Sequence, residues 1–387
     1  MMSVLIVLSV ALIVLVLWEA FETIVLPRRV TRRVRVTSSF YLATWRPWRA
    51  LCLSVRTRKR REVLLSVYGP LSLLVLLSLW AATLICAFAL LHWALDTRLN
   101  VADGLRGFGT YLYMSGVIFF TLGFGDVVPV MHAGRMLTVL EAGVGFGFLA
   151  LIIGYLPVIY QGFSAREVNI SLLDARAGTP PTPAELLRRH GRNNAMPELN
   201  ELLKDWERWG AELMESHLSY PVLCYFRSQH DNQSWLAALA TILDTCALVM
   251  VGVDGAPTWQ AQLTFAMARH AVVDISQIFS AAPRADFADR LCAEDMGRLR
   301  ASLAADGVPL RDGAEADARL AQLRGMYEPY VRALAEFLAM PLSPWINPKD
   351  VVDNWQTSAW ETNPQRVAAT FEGVCRGGRG EAVSSKQ

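Results

Sequence analysis

Three apolar runs dominate the first 160 residues, at about 3–26, 71–91 and 136–160. Each is about 20 residues long, the length that carries a helix across the hydrocarbon core of a bilayer. In lipid every backbone N–H and C=O must be satisfied within the segment or by a closed barrel, so runs of this length are expected as helices. The first run has no basic start and no small-residue cleavage site; it passes straight into Pro27-Arg28-Arg29 and reads as a retained anchor over 1–27. The mean hydropathy of +0.29 is too high for an ordinary soluble chain of 387 residues.

The connection between the first two runs, residues 28–63, fixes an orientation. It carries Arg28, Arg29, Arg32, Arg33, Arg35, Arg46, Arg49, Arg56, Arg58, Lys59, Arg60 and Arg61 against a single acid, Glu62. Basic loops stay in the cytoplasm. The N-terminus is therefore expected outside and everything after Tyr160 inside, in a multi-pass protein of the cell membrane. A voltage sensor needs arginines at every third position through an apolar helix, which is not this arrangement. Around 41–55, Trp45 and Trp48 beside Arg46 and Arg49 suit an interfacial helix with its rings at headgroup level. Gly69-Pro70 is read as the start of the second span, since proline suits a first helical turn. Glu19 and Glu22 share one face of the first run. Acids at that depth face protein or water; Glu22 is near enough to Arg28 and Arg29 to be a plain interfacial charge, and a structural ion pair is the expectation for the deeper Glu19.

Between the second and third runs lies an apolar stretch at about 110–120, too short to cross a bilayer. A re-entrant half-helix fits, its C-terminal end aiming partial negative charge into the membrane. Thr121-Leu122-Gly123-Phe124-Gly125-Asp126 follows. Non-helical backbone at this depth is tolerated only where it is buried in protein or lines a watery path. Successive backbone carbonyls can replace a cation's hydration shell. Turning neighbouring carbonyls to one side needs unusual angles at alternate positions, which Gly123 and Gly125 supply without strain. Thr121 adds a hydroxyl at the inner end, and Leu122 and Phe124 point away to pack.

The span, the short helix, the Thr121–Asp126 hexamer, Pro129, Gly134-Arg135 and a glycine-bearing third span together resemble the potassium channel pore family over about 71–160. The resemblance implies potassium as the permeant ion, no cofactor, no other metal, and four identical subunits around one axis in a lipid membrane. The family's usual filter is Thr-Val-Gly-Tyr-Gly-Asp, so Leu122 and Phe124 are departures. Phe124 has no hydroxyl for a pore-helix donor to hold, and Met114 and Val117 are expected to give apolar packing instead. Tyr113 is expected to hydrogen-bond Asp126 behind the filter. The family's inner helix bends at a glycine; Gly143, Gly145 and Gly147 are candidates and Gly145 fits best by its distance from Gly134-Arg135. Small residues also permit close helix packing, and both readings stand. Pro157 can kink the helix near its inner end. Phe146, Leu149 and Ile153 recur at helical spacing as cavity-lining candidates. Glu141 either faces the cavity or hydrogen-bonds behind the pore helix. His132 lies at the outer mouth, an exposed loop histidine.

Residues 161–362 read as a helical cytoplasmic domain, regulatory or for assembly, with a disordered tail over 363–387. Thr182-Pro183-Ala184-Glu185 is an N-cap with its capping-box acid, and Gly191 ends that helix. Further helices are expected at about 197–218, 234–251, 258–279, 284–305 and 314–340. The stretch 235–251 is very apolar but short and contains Asp244, so it reads as the core of a soluble bundle. Trp206, Trp209, Trp235 and Trp259 are expected in the core. His270 with Asp274, and His217 near Glu212 and Glu215, are helix-surface pairs rather than metal sites. Cys52, Cys86, Cys224, Cys246, Cys292 and Cys375 have no disulfide or metal spacing. No strand-rich cyclic-nucleotide roll and no GxGxxG after a strand is present. An effector, whether small molecule or protein, is left open for this domain, and nothing calls for nucleic acid. No catalytic constellation supports an enzyme. The other readings are a weakly selective cation channel, a transporter subunit and a membrane-anchored signalling protein.

Overall fold

The computed structural model describes residues 1–26, 36–101, 107–192, 195–230, 232–284 and 289–347. The arginines at 28–35, Asp103 and Arg106, and the tail over 363–387 lie outside these residues. The chain is an all-α membrane protein. It forms two compact units, one of residues 1–162 with 222–226, the other of 163–221 with the chain from 227 onward.

In the first unit, α1 (Met2–Ala20) runs on into a π-helical turn, Phe21–Val25. Glu19 is fully buried at its end. Its carboxylate accepts from the backbone N–H of Val36 (3.2 Å) and Thr37 (3.1 Å) and from the Thr37 hydroxyl (2.9 Å). Glu19 therefore caps the start of α2 (Val36–Ser54), satisfying orphan donors and opposing the helix dipole. This cap is a role for Glu19 that the sequence did not indicate. Glu22 accepts from Trp18 Nε1 at 2.8 Å.

α3 runs from Arg58 to Ala94, 37 residues. At 1.5 Å per residue it is about 55 Å long, well beyond the hydrocarbon core. Gly69-Pro70 thus lies inside the helix, not at its start. Leu65, Tyr68, Gly69 and Ser72 are buried on one face, and that stripe, packed on α2, carries the helix through the proline. Trp45, expected on an interfacial surface, faces protein instead. It is buried, with its ring centroid 4.7 Å from Tyr68 and 5.1 Å from Tyr225.

Tyr225 comes from a short 3₁₀ turn, Pro221–Tyr225, far along the chain. Its ring stacks on Tyr41 at 5.6 Å and 14°. Phe226 packs so tightly on α3 that a Cβ on Gly69 would lie 2.7 Å from its ring, and it meets Tyr160 edge-on at 6.3 Å.

The second unit opens with the last turns of α5 (His132–Ala177), where Ile170, Leu173 and Ala177 are buried. α6 (Pro183–Arg192) begins with Thr182 Oγ1 accepting from the Glu185 N–H at 3.2 Å. α7 (Met196–Ser219) and α8 (Trp235–Gly252) both pack on α9 (Thr258–Ile278). α8 is long and apolar enough to cross a membrane by length and composition. All of its residues except Met250 and Gly252 are buried, so protein already covers its apolar surface. Asp244 within it accepts from Arg290 Nη2 (2.6 Å) and the Tyr327 hydroxyl (2.5 Å). Burial opposes the charge on Arg290, and Asp244, Tyr327 and Glu328 together more than offset it.

Two expected helices differ. The helix expected over 284–305 is α10, Ala293–Ala305. The one expected over 314–340 is two, α11 (Ala314–Gly325) and α12 (Glu328–Leu338), broken before Pro329, which suits a first turn. Trp259 is exposed, not core. His217 is buried beside Arg166 rather than paired with Glu212 or Glu215. His270 lies 3.5 Å from Asp274 on the surface of α9. Among the described residues no three His, Cys, Asp or Glu side chains group as metal ligands.

Candidate ion-conduction site

The short helix expected near 110–120 is α4, Phe108–Phe119, packed against α3. At about 18 Å it cannot cross a bilayer. Its last turn is closed by the Thr121 N–H donating to Ile118 O and the Leu122 N–H to Val117 O, both at 2.9 Å.

The backbone then alternates. Thr121, Gly123 and Gly125 have φ of 55°, 63° and 76°, in the left-handed region, while Leu122 and Phe124 between them do not. The glycines take this conformation freely; Thr121 does so at a cost of about 1 kcal/mol or more. Such alternation turns successive carbonyls toward the same side, the geometry of a cation cage. The Thr121 angle was not foreseen, because threonine rarely adopts it.

Neighbouring contacts hold this backbone. The Tyr113 hydroxyl donates to Asp126 Oδ2 at 2.8 Å. β2 (Val128–Pro129), just past Asp126, pairs antiparallel with β1 (Leu99–Asn100). The Val130 N–H donates to Arg98 O (3.0 Å) and Arg135 Nε to Pro129 O (3.2 Å). A Cβ on Gly134 would lie 2.6 Å from Thr97 Cγ2, so glycine is what lets the start of α5 approach this strand.

Phe124 is 66 % exposed within one protomer, whereas Met114 is buried and Val117 half-buried. The expected packing of Phe124 on Met114 is therefore not made inside a single chain. Leu122 and Tyr113 are exposed on the protomer too.

α5 runs unbroken through Gly143, Gly145, Gly147 and Pro157. Gly145 faces the end of α4: a Cβ there would lie 2.2 Å from Phe119 O. Gly143 and Gly147 face nothing within 4 Å in the protomer. Phe146 and Ile153 are exposed and Leu149 is half-buried, leaving that face of α5 without a cover from its own chain. His132 is exposed at the start of α5.

Glu141 does not face open space. It is fully buried, with Oε2 3.4 Å from His92 Nε2 on α3. His92 is also fully buried, and its Nδ1 lies 3.2 Å from Thr97 Oγ1. Ser115 of α4 is buried against the same carboxylate. His92 escaped the sequence reading because a single histidine near the end of an apolar run carries no spacing signal.

Residues 73–161 match the family model described as ion channel. The match is consistent with the potassium channel pore family and covers Thr121–Asp126, α4 and most of the two helices around them. An uncharacterized membrane protein of Bacillus subtilis (strain 168), YdjJ, is 20 % identical over 194 residues, 49 % of this chain and 55 % of the relative. The chain thus spans about half the length of the curated relative it matches. No solved structure matches.

Proposed function

We propose that the protein is a potassium-selective channel, conducting K+ passively through a pore ringed by four copies of Thr121–Gly125. The observation that carries this reading is the alternation of left-handed backbone at Thr121, Gly123 and Gly125. One chain supplies one column of carbonyls, and a cage needs several, which cyclic symmetry builds most simply. The exposure of Tyr113, Leu122, Phe124, Phe146 and Ile153 on one protomer supports further copies covering those faces. The basic connection between the first two spans favours a cytoplasmic C-terminal unit. There the unit either answers an effector, shifting α5 toward the open or closed pore, or holds the subunits together. Gly143, Gly145, Gly147 and Pro157 are the hinge candidates of that movement.

The test is reversal potential in vesicles holding the purified full chain, under opposed K+ and Na+ gradients. A potential following the K+ gradient supports the proposal; one near zero refutes selectivity. A weakly selective cation channel is the second reading, favoured by Phe124, which leaves the filter without the family's tyrosine hydroxyl.

A further inference from the structure

Tyr113 and Ser115 leave α4 on opposite sides, since two helical steps turn a side chain by about 200°. Tyr113 holds Asp126. Ser115 faces the other way, toward Glu141. Around that carboxylate the structure gathers polar groups from three helices and one loop, each in an apolar setting. Glu141 belongs to α5, His92 to α3, Ser115 to α4, and Thr97 follows α3. The chain of contacts goes on, because the Tyr111 hydroxyl at the start of α4 donates to Thr97 O at 2.9 Å. His92, Ser115 and Glu141 are fully buried. Both Glu141 oxygens, His92 Nε2 and Ser115 Oγ lack a hydrogen bond of good geometry in the protomer. Polar atoms left so in an apolar interior are costly, and they are kept where they fix an arrangement or serve a function.

We infer that His92, Glu141 and Ser115 form a polar brace that positions the pore helix from behind and thereby sets the discrimination of the filter. The brace deepens the proposed channel function and rests on it. α4 is short and carries the filter on its last turn, so its rotation or tilt moves Thr121 directly. The apolar contacts of α4 resist separation but slide easily. A buried carboxylate lying 3.4 Å from an imidazole ties the rotation of α4 to α3 and α5 as well. The Tyr113–Asp126 bond fixes the outer end of the filter, and the brace fixes the helix that feeds its inner end. These three are positioning residues: none lies on the carbonyl path.

The experiment compares the full-length protein with His92→Gln, Glu141→Gln, Ser115→Ala and the double variant His92→Gln/Glu141→Gln. Assembly is checked by size in detergent. Two readouts are taken, the Na+/K+ permeability ratio from reversal potentials and hydrogen exchange of the amides in 108–119. Each single variant is expected to raise the ratio at least threefold and to speed exchange in α4 while leaving α7–α9 unchanged. The double variant is expected to be no worse than the worse single one, because both substitutions break one unit. Ser115→Ala removes only a hydroxyl, so it remains readable where Glu141→Gln does not assemble. Unchanged ratio and exchange in Ser115→Ala and in assembled His92→Gln would overturn the brace, as would strictly additive effects in the double variant. A wild-type protein without K+ preference would sink the proposed selectivity alone, and the exchange readout would still decide the brace.

Discussion

The carbonyl oxygen of Phe119, the last residue of α4, lies 2.2 Å from where a Cβ on Gly145 would stand. A gap that small cannot take a methyl group, and the obstacle is backbone rather than a flexible side chain. Gly145→Ala is therefore expected to push α5 off α4 and to cut K+ flux at least tenfold. Gly143→Ala, which meets nothing within its own protomer, is expected to keep most of the flux. Paired flux measurements on assembled protein check this. Equal tolerance of both would argue against a close-packing role for Gly145.

Tyr113 and Asp126 make a second prediction. Their hydrogen bond sits on the surface of the single chain, beside Thr121–Gly125. Tyr113→Phe deletes the donor and keeps the ring. Current through the variant is expected to decay severalfold faster during sustained opening, read in planar bilayers. An unaltered time course and unaltered selectivity would remove this bond from the account of the filter.

Gly69 reverses the usual rule for a helical glycine. Alanine in a helix interior normally gains about 1 kcal/mol over glycine. Here the new Cβ would lie 2.7 Å from the Phe226 ring. Gly69→Ala is expected to lower the melting temperature in detergent, and Gly69→Ala/Phe226→Ala to melt higher than Phe226→Ala alone. Stabilisation by Gly69→Ala in the otherwise native chain would contradict the fit.

Acid should weaken the C-terminal unit through His217. Its burial, and then the Arg166 guanidinium, hold the imidazole well below its ordinary value of 6.5. Neutral His217 donates from Nδ1 to Leu213 O (2.8 Å) and accepts from Arg166 Nη1 at Nε2 (3.2 Å). A value depressed by folding means the unfolded chain takes the proton first. The stability this gives is present above 6.5 and is lost as pH falls from there through the lower folded value. Melting of the full chain is expected to drop between pH 7 and 5, with a shallower drop in His217→Gln. His190, also held down mainly by burial, leaves part of the slope behind. Identical slopes would show that His217 does not titrate in unfolding.

What the sequence revealed, and what it hid, divides along physical lines. Gly123 and Gly125 were readable because few backbone demands other than left-handed φ call for alternate glycines at membrane depth. Thr121 shares their conformation but has an ordinary residue's preferences, so nothing in its identity announced it. Hydropathy found where lipid could lie, not where helices end. α3 and α5 run past their apolar windows because the added turns pack on protein. Glu19 was conspicuous as a buried acid, yet the helix start it caps is not something a search for opposite charges finds. His92 and Glu141 stand 49 positions apart, and only the packing of α3, α4 and α5 brings them together.

The five residues Val222–Phe226 have a practical consequence. The membrane unit is discontinuous along the chain, so no single cut isolates it. A chain ended after Gly162 would keep Thr121–Asp126 and the contacts around it, yet lose Tyr225 and Phe226. Tyr41, Trp45, Tyr68 and Gly69 would then surround a hole shaped like two aromatic rings. Misbehaviour of such a truncated pore would speak first of a missing piece of its own core, and only after that of a lost regulator. Supplying the peptide of residues 222–226 in trans, or filling the gap with larger side chains, would separate the two.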